Sequence, residues 1–260
     1  MNTTEPVIVR REQGIATVML NRPHSHNAIT LEMYQSFPRI FADLEADPGV
    51  KVVVIRGAGT KAFASGADIK EFQTVRATAE KARHYNSKVA EAERAIESLS
   101  KPTLAMIHGY CIGGGAGLAL AADLRFGDEN TTIAITPAKL GIVYSLESTK
   151  RLVDLAGPSR AKWILYSGEK IGAQDALRLG LIDELIDSAE LERRTYEFAK
   201  LLTTRAQFSV RAAKTIVNRV VAGQTVDDDV TAELRDSSFD TADYAEGVRA
   251  FLEKRAPRFG

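Results

Sequence analysis

Two apolar runs dominate what this chain can fold into. Val50–Ile55 is almost entirely β-branched, and Pro102–Ile107 is a second buried, mainly apolar run about fifty residues later. A strand with no polar alternation is apolar on both faces, which suits the interior of a parallel sheet covered by helices. Each run is followed by a glycine-bearing loop: Gly57-Ala58-Gly59, running on to about Phe72, and Gly113-Gly114-Gly115-Ala116-Gly117. Around them, Val7–Val9 and Ile15–Leu20 read as a hairpin turning at Glu12-Gln13-Gly14. Leu31, Tyr34, Phe37, Phe41 and Leu44 mark one face of a helix over Leu31–Leu44. Ala77–Leu99 is rich in Ala, Glu, Lys and Arg and predicts a long helix. Strand, crossover and strand in succession give an α/β fold with a parallel or mixed sheet.

The second half changes character. Helical patterns run over Glu147–Ala156, Ser159–Tyr166, Ala173–Leu179, Glu190–Leu202, Ser209–Val221, Val226–Asp236 and Asp240–Arg255. The expected layout is an α/β core over residues 1–195 and a helical region over 196–260 with few partners of its own, so that oligomer contacts are expected.

Composition excludes several classes. Lys+Arg and Asp+Glu both number 34, so no basic excess is present to bind a nucleic acid. No apolar stretch approaches the roughly 20 residues of a membrane span, and Met1–Pro6 lacks the pattern of a secretory leader. Cys111 is the only cysteine, so neither an intrachain disulfide nor a cysteine-rich metal site is available. His24 and His26 have H-x-H spacing but no acidic or thiol partner, so no metal site is expected. These features describe a soluble, cytoplasmic chain.

The chemistry points to the two loops. Three glycines between a buried strand and a helix leave backbone N–H groups uncovered at the helix N-terminus, where the dipole favours negative charge. The spacing is neither G-x-G-x-x-G nor a Walker A loop. The same glycines would equally serve close helix–strand packing. However, Lys61–Ile69 follows the first buried strand just as the glycines follow the second, and such loops lie on the same carboxyl edge of a sheet. One N–H from each could converge on a single oxygen as an oxyanion hole.

At this point the chain resembles the crotonase (enoyl-CoA hydratase/isomerase) superfamily. The resemblance is carried by Asn21-Arg22-Pro23 with Asn27-Ala28, by Ala62-Phe63-Ala64-Ser65-Gly66-Ala67-Asp68-Ile69, and by Gly109-Tyr110-Cys111-Ile112-Gly113-Gly114-Gly115. Leu140-Gly141, Thr149–Leu152, Ala173–Ala176, Gly180-Leu181 and Phe251–Arg255 extend it along nearly the whole chain. The resemblance implies a spiral of ββα units with a C-terminal helical region, and a homotrimer that often pairs into a hexamer. It also implies an acyl-CoA substrate whose enolate is held by the N–H groups of Ala67 and Gly114. CoA enters as part of the substrate, with no separate cofactor. CoA contacts would fall to His24, Ser25, Ala64, Ala67, Asp68 and Ile69. Phe251 and Lys254, read as one face of the last helix, would reach the nucleotide, often from a neighbouring subunit.

The chain departs from the hydratase pattern where proton transfer occurs. The two hydratase glutamates would fall at Gly117 and Pro137, and the usual isomerase carboxylate is missing from Val143-Tyr144-Ser145. Thr136-Pro137, Leu140-Gly141 and Tyr144 are instead similar to the matching stretch of methylmalonyl-CoA decarboxylases. Decarboxylation makes the enolate without a base, so a site lacking carboxylates suits it. Tyr144 could hold a substrate carboxylate or could be a packed core aromatic. Glu147 has two readings as well: a general base lining the pocket, or an acid favoured by the dipole in the first turn of a helix. The expectation is an acyl-CoA lyase or isomerase. The alternatives are a hydratase with another acid/base and a binding protein without catalysis. His108 and Cys111 read as packed residues beside the pocket.

Overall fold

The computed structural model describes residues 5–259; Met1–Thr4, part of the segment read for a leader, lies outside the described residues. β1 (Val7–Glu12) and β2 (Ile15–Leu20) form the expected hairpin, and α1 (Leu31–Ala46) follows, capped by the Thr30 hydroxyl accepting from the Met33 N–H. The chain then winds through β3 (Val52–Gly57), β4 (Ala62–Ala64), α2 (Phe72–Val75), α3 (Ala79–Glu97), β5 (Thr103–Ile107), β6 (Tyr110–Ile112) and α4 (Gly114–Ala121). It continues with β7 (Leu124–Asp128), β8 (Thr132–Ala134), α5 (Leu146–Ala156), α6 (Pro158–Ser167), β9 (Ile171–Gly172), α7 (Ala173–Arg178) and β10 (Glu184–Ile186). Four helices end the chain: α8 (Leu191–Thr203), α9 (Gln207–Val221), α10 (Asp229–Asp236) and α11 (Ala242–Leu252).

Two sheets result. The larger has the order β1-β2-β3-β5-β7-β10 and is parallel apart from β1; the smaller, β4-β6-β8-β9, is parallel apart from β9. Each turn of the chain lays one strand in each sheet, β3 then β4, β5 then β6, β7 then β8, which is the ββα spiral. The unbroken apolar character of β3 now has its reason. Val52 and Val54 pack with Leu104, Met106 and Phe126 against Leu191 and Ala199 of α8, while Val53 and Ile55 face the main core with Phe37, Phe41 and Ile96.

The sequence reading takes 57–72 as loop and places no strands between Gly109 and Ala134. The structure finds β4, β6, β7 and β8 there. Three of these strands have three residues and β7 has five, too few for periodicity to stand out, and their pairing is decided by the sheet. The last helix also ends earlier than Arg255. Lys254 lies past α11 in the left-handed region at φ 54°, so it does not share a helix face with Phe251.

The passage from large to small sheet turns at Gly109, φ 60°, where an added Cβ would sit 2.1 Å from the Lys61 carbonyl oxygen. Gly109→Ala combines left-handed strain with a backbone clash and should cost about 2–4 kcal/mol. Denaturant titration checks this as a lower midpoint at unchanged slope; a midpoint within error of the parent would show that the turn relaxes freely.

Candidate active site

The two loops meet as the spiral requires. Ile29 runs alongside Ala67, its N–H donating to the Gly66 carbonyl at 2.8 Å and its own carbonyl accepting from the Asp68 N–H at 2.9 Å. Those bonds fix the groups on either side of Ala67. By the alternation of an extended chain, the Ala67 N–H therefore points away from Ile29. It has no acceptor among the described residues.

The opposite donor comes from α4. The Gly113 N–H is tied to the Ala134 carbonyl at 2.7 Å, and the Gly113 carbonyl accepts from the Gly117 N–H at 3.0 Å. The Gly114 N–H, in the first helical turn, has no intrahelical partner. An added Cβ on Gly114 would lie 3.7 Å from the Ala67 nitrogen and 2.1 Å from the Tyr34 hydroxyl. Two free amides thus stand side by side, with Tyr34 filling the space a side chain would need.

Both amides line a cavity of about 490 Å³. Tyr144 lines it too; its hydroxyl is buried without a hydrogen-bond partner, and burial pushes its pKa up. Glu147 does not line it. This residue sits in the first turn of α5 and points outward, paired with Arg94 at 3.0 Å and about half exposed. The sequence reading of Glu147 as a pocket base fails because Arg94, one turn after Ala90 on α3, holds the carboxylate on the outer side.

The carboxylate of the site comes from α3 and was not singled out in the sequence. Glu93 is 3% exposed and lines the cavity. Its Oε2 accepts from Arg151 Nη1 at 2.6 Å and from the Ser148 hydroxyl at 2.7 Å. Its Oε1 lies 2.2 Å from where a Cβ on Gly117 would be, a point also 3.9 Å from the Tyr144 hydroxyl. Glu93 therefore occupies the space left by the glycine at the first hydratase position. Burial raises its pKa, against the opposing pull of Arg151 and Ser148. The signal for it was present in α3: Tyr85, Val89, Ala92 and Ile96 form the inward stripe, and Glu93 lies within it. A single acid on an apolar helix face needs a partner, and Arg151 supplies one.

The expected CoA residues are spread more widely. Ala64 is buried in β4, and Ile69 is 65% exposed at the cavity edge. His24 is exposed and Ser25 half-buried, on a short turn held to the Ala67 loop by the Ser65 N–H donating to the His26 carbonyl. Asp68 is turned to Arg22, 2.9 Å away, and caps the Lys70 N–H, so its carboxylate braces the loop. Phe251, 84% exposed, and Lys254 are not among the cavity's lining residues. His108 and Cys111 are buried as expected, and burial lowers the imidazole's pKa and raises the thiol's. Among the described residues no group of three or more His, Cys, Asp or Glu side chains is placed to hold a metal, and no helix is long and apolar enough to cross a membrane.

Known proteins share this fold. The sequence profile of the enoyl-CoA hydratase/isomerase family matches residues 10–260, and the chain belongs to that family. It is 32% identical to a crotonyl-CoA hydratase of Syntrophomonas wolfei over 259 residues, covering 98% of each chain. It is 30% identical to a short-chain-enoyl-CoA hydratase of Clostridium acetobutylicum, covering 96% of this chain and 95% of that one. Among solved structures, an enoyl-CoA hydratase/isomerase family protein from Hyphomonas neptunium superposes with a TM-score of 0.97 at 37% identity, covering 100% of this chain and 99% of the other. The chain is thus an acyl-CoA enzyme of the crotonase fold.

The brace at Asp68 gives a pH dependence. Burial opposes its ionisation, but the hydrogen bonds from Arg22 and the Lys70 N–H prevail and hold the carboxyl below its ordinary value. A depressed folded pKa stabilises the fold above the unfolded pKa and stops doing so as pH falls through the folded one. Asp68→Asn should therefore cost about 1–3 kcal/mol at neutral pH, with the gap to the parent closing in acid below the ordinary aspartate range. Thermal melts across pH check this, and a gap that persists unchanged in acid would contradict it.

Proposed function

We propose that this enzyme moves a proton within an unsaturated acyl-CoA, shifting a double bond into conjugation with the thioester, with Glu93 as its single acid/base. The observation that carries this is the free Oε1 of Glu93 in the space beside Gly117. In the reaction, the C–H bond at the α-carbon breaks and its proton passes to Oε1. The electron pair moves onto the thioester oxygen, held by the Ala67 and Gly114 N–H groups. Return of the proton to the γ-carbon rebuilds the carbonyl and restores the carboxylate, so atoms and charge balance without a cofactor. Arg151 and Ser148 engage only Oε2 and keep the carboxylate in place.

One carboxylate is enough to carry a proton between two carbons, whereas activating and protonating across a double bond uses two in the family's hydratases. The lyase reading rested on a cavity free of carboxylates, and Glu93 removes that premise. Hydration stays open as a second reading because relatives are named crotonyl-CoA and short-chain-enoyl-CoA hydratases. Assembly into trimers belongs to the same proposal: α9 has no buried residue, and Val220, Val221, Phe251 and Leu252 are exposed apolar side chains that a neighbouring copy would cover.

The test is 3-hexenoyl-CoA turnover, followed by the ultraviolet absorbance of the conjugated thioester. Glu93→Gln should lower kcat by about 10²–10⁴ with little change in butyryl-CoA affinity. The parent's kcat/KM should rise with pH through a limb above the ordinary glutamate range, because burial raises the Glu93 pKa and only the ionised form is the base. A Glu93→Gln variant within tenfold of the parent would overturn the assignment.

A further inference from the structure

The cavity contains a second charged group, and this one is unmatched. Arg76 follows α2 and closes its last turn, its N–H donating to the Phe72 carbonyl at 3.1 Å. Its guanidinium carbon lies 4.2 Å from the ring centres of both Phe72 and Tyr85. The side chain is half-buried in the cavity lining, and its Nε is buried with no hydrogen-bond partner. No described carboxylate lies within ion-pair distance. Glu71, five residues before it, accepts from the Leu31 N–H through Oε2, and Glu93 is already matched by Arg151.

A guanidinium taken partly out of water needs compensation. The two rings supply some through their faces, as cation–π attraction. They leave its buried Nε–H without an acceptor. Arg presents its donors in a fixed fork that matches a carboxylate. The other cation lining the cavity, Lys139, is exposed, so water already solvates it.

Position adds to the argument. Tyr34 abuts Gly114 at the oxyanion pair; Tyr34 and Tyr85 meet edge to face with ring centres 5.8 Å apart; Tyr85 stacks on Arg76. A row of rings thus leads from the thioester oxygen's place to the guanidinium. An acyl chain lying along that row would bring its far end to Arg76.

We infer that the acyl group this enzyme takes ends in a carboxylate, and that Arg76, clamped between Phe72 and Tyr85, is the residue that binds it. The inference rests on the acyl-CoA reading above and narrows it to dicarboxylic monothioesters, unsaturated ones for turnover. It also fits the cavity's charges: Glu93 has Arg151 as its partner, and the substrate's distal carboxylate neutralises Arg76.

Calorimetry with matched pairs tests this: succinyl-, glutaryl- and adipyl-CoA against butyryl-, valeryl- and hexanoyl-CoA. The wild-type enzyme should bind at least one dicarboxylic thioester about tenfold or more tighter than its neutral partner, a preference that shrinks as salt is raised. Arg76→Met should abolish the preference and Arg76→Lys should keep part of it, with the neutral thioesters losing far less. Wild-type protein that shows no preference for the dicarboxylic member of any pair overturns the inference and leaves the acyl-CoA reading standing. A variant that loses both members of a pair equally would show that Arg76 only braces the rings. Failure to bind any of the six thioesters would overturn both. The wild-type comparison decides even if a variant does not fold.

Discussion

Two backbone amides can share one oxygen only where two chain segments approach with no side chain between them. The rest of this structure follows from that constraint. The spiral brings the carboxyl ends of β4 and β6 side by side, Ile29 turns the Ala67 N–H toward the gap, and Gly114 presents the other N–H at a helix start. Gly114 cannot be anything larger, because the Tyr34 hydroxyl stands where its Cβ would be. A pair of amides fixed in this way costs no reorganisation when charge develops on the oxygen, which is what makes such a site effective.

Charge placement is the second layer. The space that Gly117 leaves empty in this chain is filled from a different element, by Glu93 on α3. Arg151 and Ser148 reach it from α5, and Arg151 also holds Glu97 at 2.7 Å, so the pair is anchored on both sides. A buried ion pair of this kind adds little net stability. Its consequence is chemical: one oxygen is held and the other is left facing the cavity.

Much of this was legible in the sequence, and the reasons for the remainder are physical. β3 and β5 stood out because strands covered on both faces lose all polar alternation, and the two glycine-bearing loops followed directly from them. The family resemblance placed Ala67 and Gly114, which the structure brings together. The short strands of the second sheet were missed because Ala62–Ala64 and Thr132–Ala134 are too brief for a period to show. Glu93 was missed because it lies among Glu91, Arg94 and Glu97, where a charged residue is unremarkable until the inward stripe of α3 is drawn. Of the two readings of Glu147, the acid in the first turn of a helix is the one found; its distance along the chain from Tyr144 also fitted a pocket, but its pairing with Arg94 lies on the outer side. Arg76 was passed over since nothing local marks a cation that two rings will flank.

The central claim is that this cavity stabilises an enolate and that Glu93 moves the proton that forms it. The most direct measurement is α-hydrogen exchange of butyryl-CoA in deuterium oxide, read by mass spectrometry, since it requires neither hydration nor a product. The account predicts enzyme-dependent deuterium uptake at the α-carbon by the parent protein and none above the buffer rate with Glu93→Gln. Uptake at the parental rate by that variant, or no uptake by the parent while it binds the thioester, would contradict it.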